Sequence, residues 1–235
     1  LWSFRQAPWH DRRPLYEKTL SMIGRLHLYP PEAFAEAGIA VMHGFDGDLY
    51  RWEQDYFRDH FLTAVCCLDE KQVHSQGLAE ELGGLSARLL EQEERLIHRD
   101  LQSQNIMIFE DEPVFIDFQG MRFGNPLYDL GSLLYDPYVD MTDRERLDLL
   151  SYYYRIIPEK PEWEEFQNRF HEASAQRLMQ ALGPYGFLGL TRGRTAFLDH
   201  IPRGVDHLGS ALSKIKSLPV LSDTVCSCRK IVGRV

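Results

Sequence analysis

The sequence predicts a mainly α-helical domain with one small β-hairpin embedded in it, an α+β arrangement. Three observations carry this. Apolar residues recur at helical spacing over most of the 235 residues, the period shortens only within residues 106–118, and proline breaks interrupt the runs without separating independent domains.

Taken in order, Leu15, Thr19, Met22, Ile23 and Leu26 share one helix face; Pro14 suits the first turn and Pro30-Pro31 stops the run. A second helix is expected from Trp52 to Cys67, with Glu53, Phe57, Phe61, Ala64 and Val65 in period and Trp52 and Tyr56 alongside. A third runs from Gln76 to about Glu94 on the stripe Leu78, Leu82, Leu85 and Leu89, interrupted by Gly83-Gly84. The short β-branched, apolar segments Ile106 to Phe109 and Val114 to Phe118 then flank the acidic turn Glu110-Asp111-Glu112-Pro113. They predict a hairpin buried on both faces. Beyond it, Thr142-Asp143-Arg144-Glu145 reads as a capping box opening the helix of Leu147, Leu150, Tyr154 and Ile157, which Pro158 and Pro161 end. A long helix from about Trp163 to Leu182 and a last one carrying Val205, Leu208, Leu212 and Ile215 complete the body.

With 44% apolar residues the chain can bury a substantial core. A net charge of -9 argues against nucleic acid or an anionic membrane as partner, because both demand a basic face that Arg229, Lys230 and Arg234 are too few to supply. No apolar run approaches the length of about 20 residues that spans a bilayer, and no basic-then-apolar leader is visible, so the expected address is the cytoplasm. The cysteines fall as Cys66-Cys67 and Cys226-x-Cys228, which is not paired zinc spacing, and a chain of this size needs no disulfide staples. The first residue is Leu1, and residues 1–13 have no clear start of their own, so the chain reads as the tail of something longer.

The chemistry concentrates in residues 96–120, LIHRDLQSQNIMIFEDEPVFIDFQG. Phosphoryl transfer from ATP needs a carboxylate to orient the accepting hydroxyl and take its proton, and oxygen ligands to hold magnesium against the phosphates. Asp100 fits the first role, and Asn105 with Asp117 fits the second. A tight hairpin brings Asn105, at the entrance of one strand, to the same end as Asp117, at the exit of the other.

His98-Arg99-Asp100-x-x-x-x-Asn105 followed by Ile116-Asp117-Phe118 resembles the catalytic and metal-binding segments of the protein-kinase-like superfamily. Gln102 stands where protein kinases place a lysine, Gln119 intervenes before Gly120, and no Ala-Pro-Glu signal follows. The continuation Gly124-Asn125-Pro126-Leu127-Tyr128-Asp129-Leu130-Gly131-Ser132-Leu133-Leu134 resembles instead the aminoglycoside phosphotransferase and choline kinase branch, which phosphorylates small molecules. The phrases IDFQG, YDLGSLLYD, Gly183-Pro-Tyr-Gly-Phe187 and His200-Ile-Pro202 are similar to bacterial kinases acting on the anomeric hydroxyl of N-acetylmuramate and N-acetylglucosamine.

The resemblance implies that Asp100 is the catalytic base, that Asn105 and Asp117 bind Mg2+, that His98 supports the loop and that Asp129 braces it from beneath. Standing alone, His98 or Asp129 is more often a buried hydrogen-bonding residue or a helix cap. Arg99 reads as a local salt-bridge partner. For the substrate, Tyr135, Asp136, Tyr138 and Asp140 offer aromatic faces and carboxylates, with Trp52-Glu53 and Tyr185 to Phe187 as further walls; core packing and helix-dipole roles compete for all of them.

Nothing upstream of Asp100 supplies a glycine-rich turn between strands or a paired lysine and glutamate, and Gly83-Gly84 lies in helical pattern. The resemblance therefore implies the C-terminal lobe of a protein-kinase-like fold: residues 1–13 as the exit from a missing N-terminal lobe, 14–218 as the catalytic and substrate lobe, and 219–235 as a tail without assigned role. The expected partners are ATP, a small-molecule hydroxyl compound and that missing lobe, and the fragment alone is expected to be inactive or nearly so. Competing readings are a pseudokinase-like binding or regulatory module and a protein kinase.

Overall fold

The computed structural model describes residues 1–36, 38, 40–158 and 160–233; Arg234 of the basic tail lies outside them. In chain order its elements are α1 (Trp9–His27), α2 (Pro31–Glu36), α3 (Gly47–Phe57), α4 (Glu70–Val73), α5 (Gln76–Leu90), β1 (Arg95–Ile97), β2 (Ile106–Phe109), β3 (Glu112–Phe115), β4 (Arg122–Gly124), α6 (Leu127–Leu134), α7 (Asp143–Ile156), α8 (Trp163–Gly186), α9 (Ile201–Leu212) and α10 (Pro219–Val232). The chain is mostly helical, as the hydrophobic period predicts, with two small antiparallel ribbons where the sequence predicts a single hairpin. It divides into two compact units, Leu1–Phe45 with Glu93–Phe166 and Asp46–Gln92 with Gln167–Val235.

In the first unit, α1 packs along α7, and their contacts advance together. Arg12 meets Glu145 at 3.2 Å, Arg13 meets Asp148 at 3.0 Å, Ser21 meets Tyr152 at 2.8 Å and His27 meets Tyr153 at 2.7 Å, so the two helices run parallel. α1 opens at Trp9, five residues before the Pro14 start read from sequence. Pro8, at φ -54° and ψ 151°, turns its carbonyl onto the amides of Asp11 and Arg12, and Pro14 is carried inside the helix with the loss of the one bond it cannot make. Thr142 and Glu145 cap α7 reciprocally, as the sequence predicts.

β1 pairs with β4, with Arg95 opposite Gly124 and Ile97 opposite Arg122. Between them the chain runs out through a loop, forms the β2–β3 hairpin and returns. Gly124 is required here because a Cβ would fall 2.6 Å from the Phe45 ring, whose own backbone amide bonds the Phe123 carbonyl at 2.9 Å.

The hairpin differs from the expected one in two ways. Its turn is only Glu110-Asp111, at φ 50° and 60°, so Glu112 and Pro113 join the second strand, which spans Glu112–Phe115 and not residues 114–118. Ile116 N–H donates to the Asn105 carbonyl at 3.0 Å, which makes 107/114 and 109/112 the bonded pairs. Pro113, opposite Ile108, thus points its missing donor outward. The ribbon is also not buried on both faces: Ile106 and Pro113 are covered, but Met107, Phe109 and Val114 are exposed, because α1 lies against one side of β3 and, among the described residues, the outer face is left open.

In the second unit, Asp46 caps α3 by accepting from the Leu49 amide at 2.7 Å, so this helix begins five residues before Trp52. At Arg58 it widens into a π-type turn that ends at Thr63, short of the Cys67 expected from its period. α5 passes through Gly83-Gly84 without a break and stops at Leu90, releasing the chain for β1. Leu78, Leu82, Leu85 and Leu89 are buried as their stripe predicts. A buried amide network ties these helices to α8: Gln54 Nε2 donates to the Leu82 carbonyl, Ser86 and Gln176, while Gln176 donates to Glu53 at 3.0 Å. Residues 219–232 form α10, whose first amides, Val220 and Leu221, are both capped at 2.8 Å by the Glu81 carboxylate. Cys66 and Cys228 are buried free thiols; Cys67 and Cys226 are exposed ones. Among the described residues no helix is long and apolar enough to cross a membrane.

Candidate active site

Because β1 ends at Ile97 and β4 begins at Arg122, their ladder brings residues 98–100 against residues 120–121. A Cβ on Gly120 would lie 3.6 Å from Asp100 Oδ2, so the Asp100 carboxylate sits against the short turn that follows Asp117. At the hairpin root the Ile116 amide bonds the Asn105 carbonyl, which sets Asp117 next to the pair. The Asn105 side-chain amide donates to the Asp100 carbonyl at 2.9 Å and closes the loop of residues 100–105 on itself. The structure therefore collects Asp100, Asn105 and Asp117 at one end of one ribbon.

Two residues here occupy the left-handed region that L side chains enter at a cost of about 1–2 kcal/mol: Arg99 at φ 75° and Asp117 at φ 59°. The scaffold holding them is fully buried. Asp129, on α6, accepts the His98 amide through Oδ2 and the Arg99 amide through Oδ1, both at 2.7 Å. His98 bonds the Ile116 carbonyl through Nε2 at 3.0 Å and packs edge-on against Phe115, tying loop to hairpin. A carbonyl only accepts, so this ring carries its proton on Nε2. Arg99 approaches Asp100 with 3.9 Å between Nη1 and Oδ2.

Asp129 also meets His27 Nε2 at 3.1 Å, and His27 Nδ1 meets Tyr153 Oη at 2.7 Å. Burial, and then the nearby Asp129 charge, push the Tyr153 phenol well above its ordinary range. Sequence reasoning passed over His27 and Tyr153; the only signal was a histidine four residues after Ile23 on the buried stripe of α1.

The residues read as substrate contacts are placed differently from one another. Asp136 is buried, with Oδ2 accepting the Ser103 amide at 2.7 Å and Oδ1 the Tyr138 amide at 2.9 Å. Tyr135 is buried beneath the Arg146 guanidinium, 4.0 Å from its ring centre. Tyr138 is half-buried and Asp140 exposed. In the second unit Trp52 is exposed and stacks on Tyr56, which also meets Phe187, whereas Glu53 and Tyr185 are buried.

Solved structures that share this fold include proteins named as kinases. A choline/ethanolamine kinase family protein from Mesorhizobium loti superposes with a TM-score of 0.59 at 14% identity, covering 94% of this chain and 68% of that one. An amicoumacin kinase in complex with AMP-PNP and Ca2+ gives 0.56 at 16% identity, covering 88% and 60%. The chain belongs to the phosphotransferase enzyme family, whose sequence profile matches residues 5–167. Among curated relatives, the N-acetylmuramate/N-acetylglucosamine kinase of Pseudomonas aeruginosa is 26% identical over 204 residues, 83% of this chain and 60% of that protein. The kinase of the same name from Neisseria meningitidis is 30% identical over 125 residues, 51% of this chain and 37% of that protein. The chain thus spans 60% or less of the length of these relatives.

Proposed function

We propose that the complete protein transfers a phosphoryl group from ATP to a hydroxyl of an amino sugar, with Asp100 as general base and Asn105 and Asp117 as magnesium ligands. The observation that carries this reading is the convergence at the hairpin root, where the ribbon's register leaves Asn105 and Asp117 at the same end and Asp100 is bonded to the first of them. Family membership supports transfer to a small molecule, and the names of the curated relatives support the amino sugar.

The donor set fits a hard divalent cation. Asn105 commits its amide nitrogen to Asp100 and keeps Oδ1 for a ligand, and Asp117 is exposed. Both offer oxygen only, as magnesium prefers. Magnesium, when bound, neutralises developing charge on the phosphates. Asp100 accepts the proton of the attacking hydroxyl, His98 and Asp129 keep its loop in place, and the exposed pair Met107 and Val114 gives an apolar floor suited to a purine.

In this reading Asp136 also braces the loop, since both its oxygens are taken by backbone amides and Ser103 belongs to the segment between Asp100 and Asn105; this departs from the pocket role expected from sequence. A preceding lobe would add the second wall of the nucleotide cleft and a lysine on the phosphates. A cytoplasmic enzyme follows from the same reading. A pseudokinase-like module remains the alternative, and a base beside two metal ligands favours the enzyme.

The test is to mix the complete protein with ATP, magnesium and a panel of amino sugars, choline-like alcohols and a protein substrate, and to read mass gain. Gain on N-acetylglucosamine or N-acetylmuramate supports the proposal. Gain only on choline-like compounds overturns the sugar, gain on the protein substrate overturns the small molecule, and no gain with ATP bound supports the module.

A further inference from the structure

Beneath the catalytic loop runs a buried chain of polar groups, of which only Asp129 has been given a part above. The Asp129 carboxylate only accepts, so the His27 proton lies on Nε2, facing Asp129 Oδ2 at 3.1 Å. In the neutral ring Nδ1 is then an acceptor, and the Tyr153 hydroxyl, 2.7 Å away, is placed to donate to it. Asp129, His27 and Tyr153 are all buried, and they come from α6, α1 and α7. A volume filler at the end of α1 would need no such matching of donors to acceptors.

What the chain holds is the orientation of one carboxylate. Asp129 takes two successive amides, those of His98 and Arg99, and so fixes the peptide planes that lead into the left-handed Arg99. Asp100 follows directly. Rotation of the carboxylate would release one of those amides, and the backbone would relax away from a conformation that persists only when over-determined. His27 is the third donor on that carboxylate and the one that comes from outside the loop.

We propose that His27, backed by Tyr153, is a positioning residue for phosphoryl transfer: it locks the Asp129 carboxylate and thereby the backbone that presents Asp100. The proposal rests on the reading of Asp100 as the base.

Its test compares His27→Leu, which keeps volume and loses the donor, with His27→Gln, which keeps an amide donor, and with Tyr153→Phe, all in the complete protein with ATP and N-acetylglucosamine. His27→Leu should lower kcat at least about tenfold with KM for ATP within about twofold, and His27→Gln should recover most of the loss. Tyr153→Phe should fall between them. Deuterium uptake at the amides of residues 98–101 should rise in His27→Leu and stay low in His27→Gln. Wild-type kcat in His27→Leu overturns the proposal, as does a His27→Gln enzyme no better than His27→Leu. If His27→Leu does not fold, Tyr153→Phe decides, and wild-type kcat with wild-type amide uptake overturns it. If the wild-type protein phosphorylates only another acceptor of the panel above, the variants are compared on that one. A folded wild-type protein that transfers phosphate to none of them refutes the base assignment instead; the amide uptake then tests the anchoring alone, and unchanged uptake in the variants overturns it.

Discussion

The side-chain amide of Asn105 donates to the main-chain carbonyl of Asp100 at 2.9 Å, so the two residues are coupled through an atom that no substitution at position 100 removes. Asp100→Asn should therefore leave the loop and the melting temperature unchanged while lowering phosphoryl transfer by the complete protein about 10³-fold. Transfer that survives this change would be fatal to the assignment of Asp100 as base.

Asp117 is exposed and left-handed, a conformation that asparagine tolerates best among ordinary residues. Asp117→Asn thus keeps the backbone and removes the charge. The magnesium concentration giving half-maximal rate should rise at least about tenfold, read from activity against magnesium at saturating ATP. An unchanged requirement would move the metal elsewhere.

The hairpin turn places two acidic residues, Glu110 and Asp111, at positive φ, where a two-residue turn of this hand favours Asn-Gly. Asp111→Gly should stabilise the fold by about 0.5–1 kcal/mol. The contact from Lys18 survives, because Nζ bonds the Asp111 carbonyl, at 2.7 Å, and the Glu112 carboxylate. Chemical denaturation checks it; a lower midpoint would contradict the turn geometry.

Tyr16 and Tyr153 have phenols raised above the ordinary 10.0, chiefly by burial and next by Asp136 and Asp129 respectively. The unfolded chain loses these protons near the ordinary value and the native chain keeps them, so the unfolded state binds fewer protons at alkaline pH. Their contribution to stability is complete below about pH 10 and declines as pH climbs beyond it. Melting temperatures measured across that range should fall, and Tyr153→Phe should flatten part of the fall.

Local signals were legible and distant ones were not. The Thr142 capping box, the leucine stripe of α5 and the order Asp100, Asn105, Asp117 around a ribbon each lie within one short stretch of the chain. β1 and β4 are three residues each, too short to show a period, and pair Arg95 with Gly124 across a loop. His27 and Asp129 meet across 102 positions, which no spacing encodes. Asp136 looks like a pocket carboxylate in sequence; only the folded loop shows the Ser103 amide waiting for it. α10 was passed over because Pro219 opens it and its buried stripe, Leu221, Val225 and Cys228, is narrow.

The outer face of the hairpin sets how this polypeptide behaves in a test tube. Met107, Phe109 and Val114 stand in water on adjoining rungs of a short ribbon, a surface inviting strand-to-strand association between molecules. Purified chain should become turbid well before its core loosens, and Phe109→Lys, opposite Glu112, should raise the concentration it tolerates.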